Sequence, residues 1–230
     1  MLWMLPVTLV VFFAVRKVAQ KINSPLFNPL VFAVIILIGL LLTVNVGYTE
    51  YAHNVNILNQ LLPYSVVALA YPLYELISQI RARWRSILFI TLSASIVAMV
   101  SGSVIAFLLG APLDIVASVM PKSVTTPIAV TIAEKEGGIP SIAAFCVIFV
   151  GALGAIIGHT LLNLFRVKHS AARGLAIGSA SHAVGTARCM EVNYHEGAYS
   201  SLALVLCGIL TSLIAPFLYP VILMICQWLS

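Results

Sequence analysis

Two short polar segments interrupt a chain that is otherwise strongly apolar: Pro121-Lys122-Ser123-Val124-Thr125-Thr126-Pro127 and Ser179-Ala180-Ser181-His182-Ala183-Val184-Gly185-Thr186-Ala187-Arg188. Each combines a cation, small hydroxyl residues and a residue that disfavours a continuous helix. That combination is suited to holding an anion. Lys122 offers an ammonium among the hydroxyls of Ser123, Thr125 and Thr126, and the prolines on either side free backbone amides as further donors. Arg188 offers a planar fork that suits a carboxylate. Ser181, Gly185 and Thr186 allow close backbone approach, and His182 either contacts the same substrate or takes a proton near neutral pH. Each residue also has a purely structural reading. Lys122 can snorkel to water, Arg188 can pair with Glu191 or Glu196, His182 can be a packed hydrogen-bonding residue, and small residues can simply pack membrane helices.

Other polar groups lie in apolar sequence. Glu75, in Ala70-Tyr71-Pro72-Leu73-Tyr74-Glu75, is a proton carrier, a partner of a hairpin cation, or a partner of Arg81 or Arg83. His159 and Asn163 line a pathway or make one helix-packing hydrogen bond. His53, His169 and His195 are expected in loops. The four cysteines, Cys146, Cys189, Cys207 and Cys226, are scattered without paired spacing. They read as small apolar residues, so no metal site or cofactor is expected beyond coupling to protons or Na+. Nothing assembles into an enzyme: Ser181 and His182 are adjacent, and neighbouring side chains on a helix diverge.

The elements that must position these residues follow from composition. Of 230 residues, 61% are hydrophobic and 8% charged, against about 25% charged in soluble domains. The expected fold is therefore all-α and polytopic, with about six to eight membrane segments in a bacterial inner (cytoplasmic) membrane. The net charge of +5 is no nucleic-acid signal. Nine of the twelve Lys and Arg residues fall in three clusters, Arg16/Lys17/Lys21, Arg81/Arg83/Arg85 and Arg166/Lys168/Arg173. The positive-inside rule puts these clusters in the cytoplasm and the N-terminus outside. Spans are expected at Leu2–Val15, Leu26–Tyr48, Leu61–Ile80, Ser86–Leu109, Ile139–Phe165 and Tyr199–Leu229, the last bent at Pro216 and Pro220. Keeping the third cluster inside then asks for a re-entrant hairpin with arms Leu113–Met120 and Ile128–Ala133, each about 10 Å long at 1.5 Å per residue. A single broken helix that crosses fully is the rival.

The segment Ala171–Glu196 reads as a second copy of this unit. At an offset of sixty residues Val124, Thr126, Glu136, Gly137, Ser141 and Ala143 match Val184, Thr186, Glu196, Gly197, Ser201 and Ala203. If each unit is a hairpin plus one crossing, the copies are inverted, an arrangement typical of secondary transporters. Residues 1–110 are then scaffold-like spans, and residues 111–230 an inverted-repeat core with two interrupted helices. An elevator-like homo-oligomer is expected by analogy with other hairpin transporters.

The stretches Val67-Ala-Leu-Ala-Tyr-Pro-Leu-Tyr-Glu75, Met120-Pro-Lys-Ser-Val-Thr-Thr-Pro127 and Ser181-His-Ala-Val-Gly-Thr-Ala-Arg188 closely resemble the LrgB/CidB family, and the resemblance covers essentially the whole chain. It implies an antiholin-like, autolysis-modulating role beside a small holin-like membrane partner of the LrgA type. It also implies movement of small monocarboxylates. A plant chloroplast glycolate/glycerate translocator is similar to a fusion of the two partner types, and bacterial pairs are linked to pyruvate. Together, residues and resemblance give a leading expectation of a transporter for glycolate-, glycerate-, pyruvate- or lactate-like anions. The alternative is a regulator of murein hydrolase export.

Overall fold

The computed structural model describes residues 3–22, 29–68, 70–75 and 77–229. The expected first residues of the first two spans, Leu2 and Leu26, lie outside them, as does Leu69 of the Val67–Glu75 stretch. The described residues form eleven helices and no strand. Contacts divide the chain into two units, Met1–Tyr71 and Pro72–Ser230.

The first unit holds α1 (Met4–Ile22), α2 (Pro29–Thr43), α3 (Tyr48–Asn54), α4 (Asn56–Ala68) and the start of α5 (Ala70–Glu75). Thr8 Oγ1 and Tyr51 OH, 2.9 Å apart, tie α1 to α3. α2 ends at Thr43, and Asn45 just beyond it has a φ of 51° that lets the Val46 amide reach back to Leu41 O at 3.0 Å. α2 and α3 then meet at 116°, so together they are either one broken span or a re-entrant loop.

The second unit holds α6 (Ile77–Leu108), α7 (Leu113–Val119), α8 (Thr126–Lys135), α9 (Pro140–Leu164), α10 (Ser170–Val192) and α11 (Tyr194–Leu229). Three stretches here are long and apolar enough to cross a bilayer: Ile80–Leu108, Pro140–Leu164 and Tyr194–Trp228. With the bent α2–α3 pair the described residues offer up to four spans, fewer than the expected six to eight. The expected third span, Leu61–Ile80, is distributed over α4, α5 and the first turn of α6 rather than forming one helix. α11 runs on through Pro216 and Pro220. The outward faces of α9 and α11 carry exposed Phe145, Phe149, Phe217 and Trp228, as lipid-facing surfaces do.

Three helix ends of this unit follow one rule. α6, α8 and α9 each end with a positive-φ residue (Gly110 at 86°, Gly137 at 78°, Arg166 at 56°), followed by an amide that bonds five residues back. This satisfies carbonyls that lipid could not. Glycine makes the turn free at Gly110 and Gly137, while Arg166 bears some strain. The main core cluster joins Met99 of α6, Val116 of α7, Ile132 of α8, and Ala215 and Ile222 of α11. A second cluster joins Ile87, Leu175, Tyr199 and Ala203 across α6, α10 and α11.

Candidate functional site

The arms of the expected hairpin are present as α7 and α8, with residues 120–125 turning between them. Pro112 caps α7, and Pro127 occupies the first turn of α8, where a missing amide hydrogen costs nothing. Ser118 fixes the base of the hairpin: its hydroxyl accepts the Ile139 amide at 2.7 Å and donates to Asp114 O at 2.6 Å. At the tip, Pro121 and Val124 are buried and Lys122 is half-buried. The Lys122 ammonium donates to the carbonyl of Ala98 in α6 at 2.5 Å. No carboxylate pairs with it among the described residues. Ser123, Thr125 and Thr126 have no side-chain hydrogen bond among those residues either, and α8 begins with no side-chain cap. The tip thus presents a cation, three hydroxyls and a helix N-terminus, all with donor capacity unspent.

The second polar segment lies within α10, and its break is at His182 (φ 37°, ψ −131°) rather than at the Gly185–Thr186 pair. This position is sixty residues from Lys122, the offset at which the two polar segments are expected to match. His182 is buried, and its Nε2 donates to the carbonyl of Val147 in α9 at 2.8 Å; a carbonyl can only accept, so Nε2 carries the proton. Two glycines of α9 make room. A Cβ on Gly151 would stand 2.8 Å from His182 Cε1, and one on Gly154 would overlap Ser181. Val147 also packs its side chain against Val124 and Ala129, so one turn of α9 supports both the hairpin tip and the α10 break.

Against the tip lies a tight, mainly apolar crevice with four hydroxyls in its lining: Ser95, Ala98 and Met99 of α6, Met120, Pro121, Ser123 and Val124 of the tip, Ser179 of α10 and Thr211 of α11. It encloses about 190 Å3 of empty space and leaves no room for the centre of a water molecule. The hydroxyls of Ser95 and Ser179 are buried with no hydrogen-bond partner. Buried polar groups are normally satisfied, so these two hydroxyls stand out in a crevice that Ala98, the acceptor of the Lys122 ammonium, also lines. Ser95 and Thr211 belong to long apolar helices, where hydroxyl residues carry no distinguishing pattern, and the sequence reading missed them.

The other expected site residues are held elsewhere. Thr186 shares a 2.8 Å hydrogen bond with Ser200 inside the α10–α11 contact. Gly185 is buried against Ser181 and Ile177. Arg188 is exposed and pairs with Glu191 at 3.1 Å, its structural reading. Glu75 accepts a short hydrogen bond from Tyr194 OH. His159 and Asn163 join a network around Glu196. Arg173 Nε donates to Glu196 Oε1 at 2.8 Å, His159 Nε2 to Oε2 at 3.0 Å, and Arg173 Nη1 to Asn163 Oδ1 at 2.8 Å. The network locks α9, α10 and α11 together. The ligand atoms of His159, Cys189 and Glu196 lie within 4.8 Å of one another, yet the Arg173 guanidinium already neutralises the carboxylate that a metal would need. Of the histidines expected in loops, only His169 immediately precedes a helix; His53 lies in α3 and His195 in the first turn of α11.

Residues 8–221 match the model of the LrgB-like family. The chain is 43% identical over 211 residues to an uncharacterized protein of Haemophilus influenzae, spanning 92% of this chain and 91% of the relative. It is 33% identical over 219 residues to the holin-like protein CidB of Staphylococcus epidermidis, spanning 94% of each. It is 30% identical over 225 residues to the holin-like protein CidB of Staphylococcus aureus, spanning 94% of this chain and 95% of that one. No solved structure matches it.

Proposed function

This chain belongs to the LrgB-like family, and from that premise we propose that it carries small monocarboxylates across the membrane. The substrates are glycolate-, glycerate-, pyruvate- or lactate-like anions, and the carboxylate is held at the hairpin tip. The observation that carries this reading is Lys122: a half-buried ammonium bonded only to the carbonyl of Ala98, a residue that also lines the crevice of the unpartnered Ser95 and Ser179 hydroxyls. An anion arriving there replaces one weak neutral acceptor with a charge-assisted bond. Ser123, Thr125 and Thr126 supply further donors. Arg188, already paired with Glu191, carries less of the reading than Lys122.

Because the crevice is closed, substrate exchange requires α7–α8 and the broken α10 to move against α6 and α9. Two inverted copies would open the site to each side in turn. No covalent chemistry is involved. The chain works in a bacterial inner membrane with its N-terminus outside, as a homo-oligomer, beside an LrgA-type partner. The test is uptake of labelled glycolate and pyruvate into proteoliposomes holding the purified chain, with and without that partner. Saturable uptake lost in Lys122→Ala supports the reading. Silence with the partner present sinks it.

A second reading is an antiholin-like regulator of murein hydrolase export and autolysis, acting through the same partner. The holin-like names of the CidB relatives support this reading, and they favour it over monocarboxylate transport. It predicts a lysis phenotype on deletion that Lys122→Ala and Arg188→Ala both complement. Failure of those variants to complement would return the weight to transport.

A further inference from the structure

A second cavity, in the same unit, shares no lining residue with the crevice. It is an open cleft of about 550 Å3 between the kink of α6, the α9–α10 loop and the first turn of α11, and its lining includes Arg83, Lys168, His169, Ser170, His195 and Tyr199. No acidic residue lines it. Arg83 and Lys168 are exposed and have no ion-pair partner among the described residues. The nearest carboxylate in sequence, Glu196, is turned away to Arg173 and His159.

The backbone contributes as well. α6 departs from helical geometry at Arg83 (φ −123°, ψ 17°), so this residue sits at a bend rather than on a straight helix face. α10 starts at Ser170 with no side-chain cap, and Ser170 and Ala171 both line the cleft. Its first amides therefore add donors to two permanent cations and two imidazoles. The floor is firm, because Ile87, Leu175, Ala198 and Tyr199 pack directly together across α6, α10 and α11.

The surroundings match a membrane interface. Trp84 is exposed next to Arg83, with the Arg85 guanidinium 5.6 Å from its ring centroid. Leu164 and Phe165, at the end of α9 below the loop, are exposed to what would be acyl chains. Basic pockets between membrane helices are the usual receptors for anionic headgroups.

The geometry points to a phosphate-binding site in this cleft, held by Arg83, Lys168 and the N-terminus of α10, that takes the phosphodiester of an anionic phospholipid or a free phosphate. It stands apart from both readings of function, since it shares no residue with the Lys122 crevice.

The experiment uses the full chain purified in a neutral detergent. Native mass spectrometry compares retention of phosphatidylglycerol and cardiolipin with that of phosphatidylethanolamine, and a parallel titration measures inorganic phosphate. An Arg83→Gln/Lys168→Gln double variant is set beside a Lys135→Gln control, whose exposed lysine lies outside the cleft. Preferential retention of anionic lipid, reduced about tenfold or more by the double variant as two basic contacts are lost and unchanged in the control, supports a lipid site. Saturable phosphate binding with the same variant pattern and no lipid preference supports a soluble phosphate. Equal retention of all three lipids by the wild-type chain, with no phosphate binding, overturns the proposal, and this arm does not depend on any variant folding. Anionic preference that the double variant keeps overturns it too.

Discussion

Gly102 is the surface against which the Lys122 side chain lies: a Cβ there would overlap the ammonium and stand 2.9 Å from Lys122 Cε. The amine reaches Ala98 O because the helix face below it is bare. Gly102→Ala should therefore lift the amine away while keeping its charge. Alanine is also the better helix former by about 1 kcal/mol, so the fold should tolerate the change. Loss of a charge-assisted bond is worth about 1.5–3 kcal/mol, or roughly tenfold to a hundredfold in substrate affinity. A proteoliposome uptake titration should show Gly102→Ala resembling Lys122→Ala. Unchanged affinity would mean that the amine position does not matter.

The hydroxyls of Ser95 and Ser179 make no bond in the closed crevice. Removing an unsatisfied buried hydroxyl relieves a penalty of about 1–3 kcal/mol. Ser95→Ala and Ser179→Ala should thus unfold at the same or higher temperature in detergent while binding substrate more weakly. Destabilised variants would show that these hydroxyls already have partners.

His182 gives a comparison with an inverted sign. In an ordinary helix, glycine is less stable than alanine by about 1 kcal/mol. At φ 37° a side chain is strained, by about 1–3 kcal/mol in such regions. Both His182→Ala and His182→Gly lose the bond to Val147 O, but only glycine escapes the strain. His182→Gly should be the more stable of the two in thermal unfolding. The opposite order would place His182 in regular helix.

Glu196 and Glu191 test burial against exposure. Glu196 serves Arg173 and His159 in a largely buried network, whereas Glu191 meets Arg188 in the open. Glu196→Ala removes the counter-charge of a largely buried guanidinium that keeps Asn163 Oδ1 and Val167 O as acceptors, a loss of up to about 3–5 kcal/mol. Glu191→Ala should cost about 0–1 kcal/mol. Chemical unfolding followed by tryptophan fluorescence checks both, and equal losses would contradict the network.

What could be read in the sequence depended on whether its cause was local. Pro121, Pro127 and the Glu136-Gly137 pair mark the α7–α8 turn and the end of α8 chemically, so the hairpin arms came out within a few residues of their observed bounds. The α10 break left no such mark. Ser181-His182-Ala183 contains neither glycine nor proline, and its bend is made possible by Gly151, Gly154 and the Val147 carbonyl on another helix. Arg173 read as one more interfacial cation because its partner lies 23 residues away. Ser95 and Thr211 were hidden for the same reason. Their place in the crevice comes from facing the hairpin tip, which neither helix encodes alone.

The tightness of the crevice has an electrical meaning. While the tip of α7–α8 rests on α6, the space between them has no room for the centre of a water molecule, so neither a chain of waters nor a hydrated ion fits there. On the transport reading, any parting of Lys122 from Ala98 that admits a solute must stay closed to ions, or the cell loses its charge.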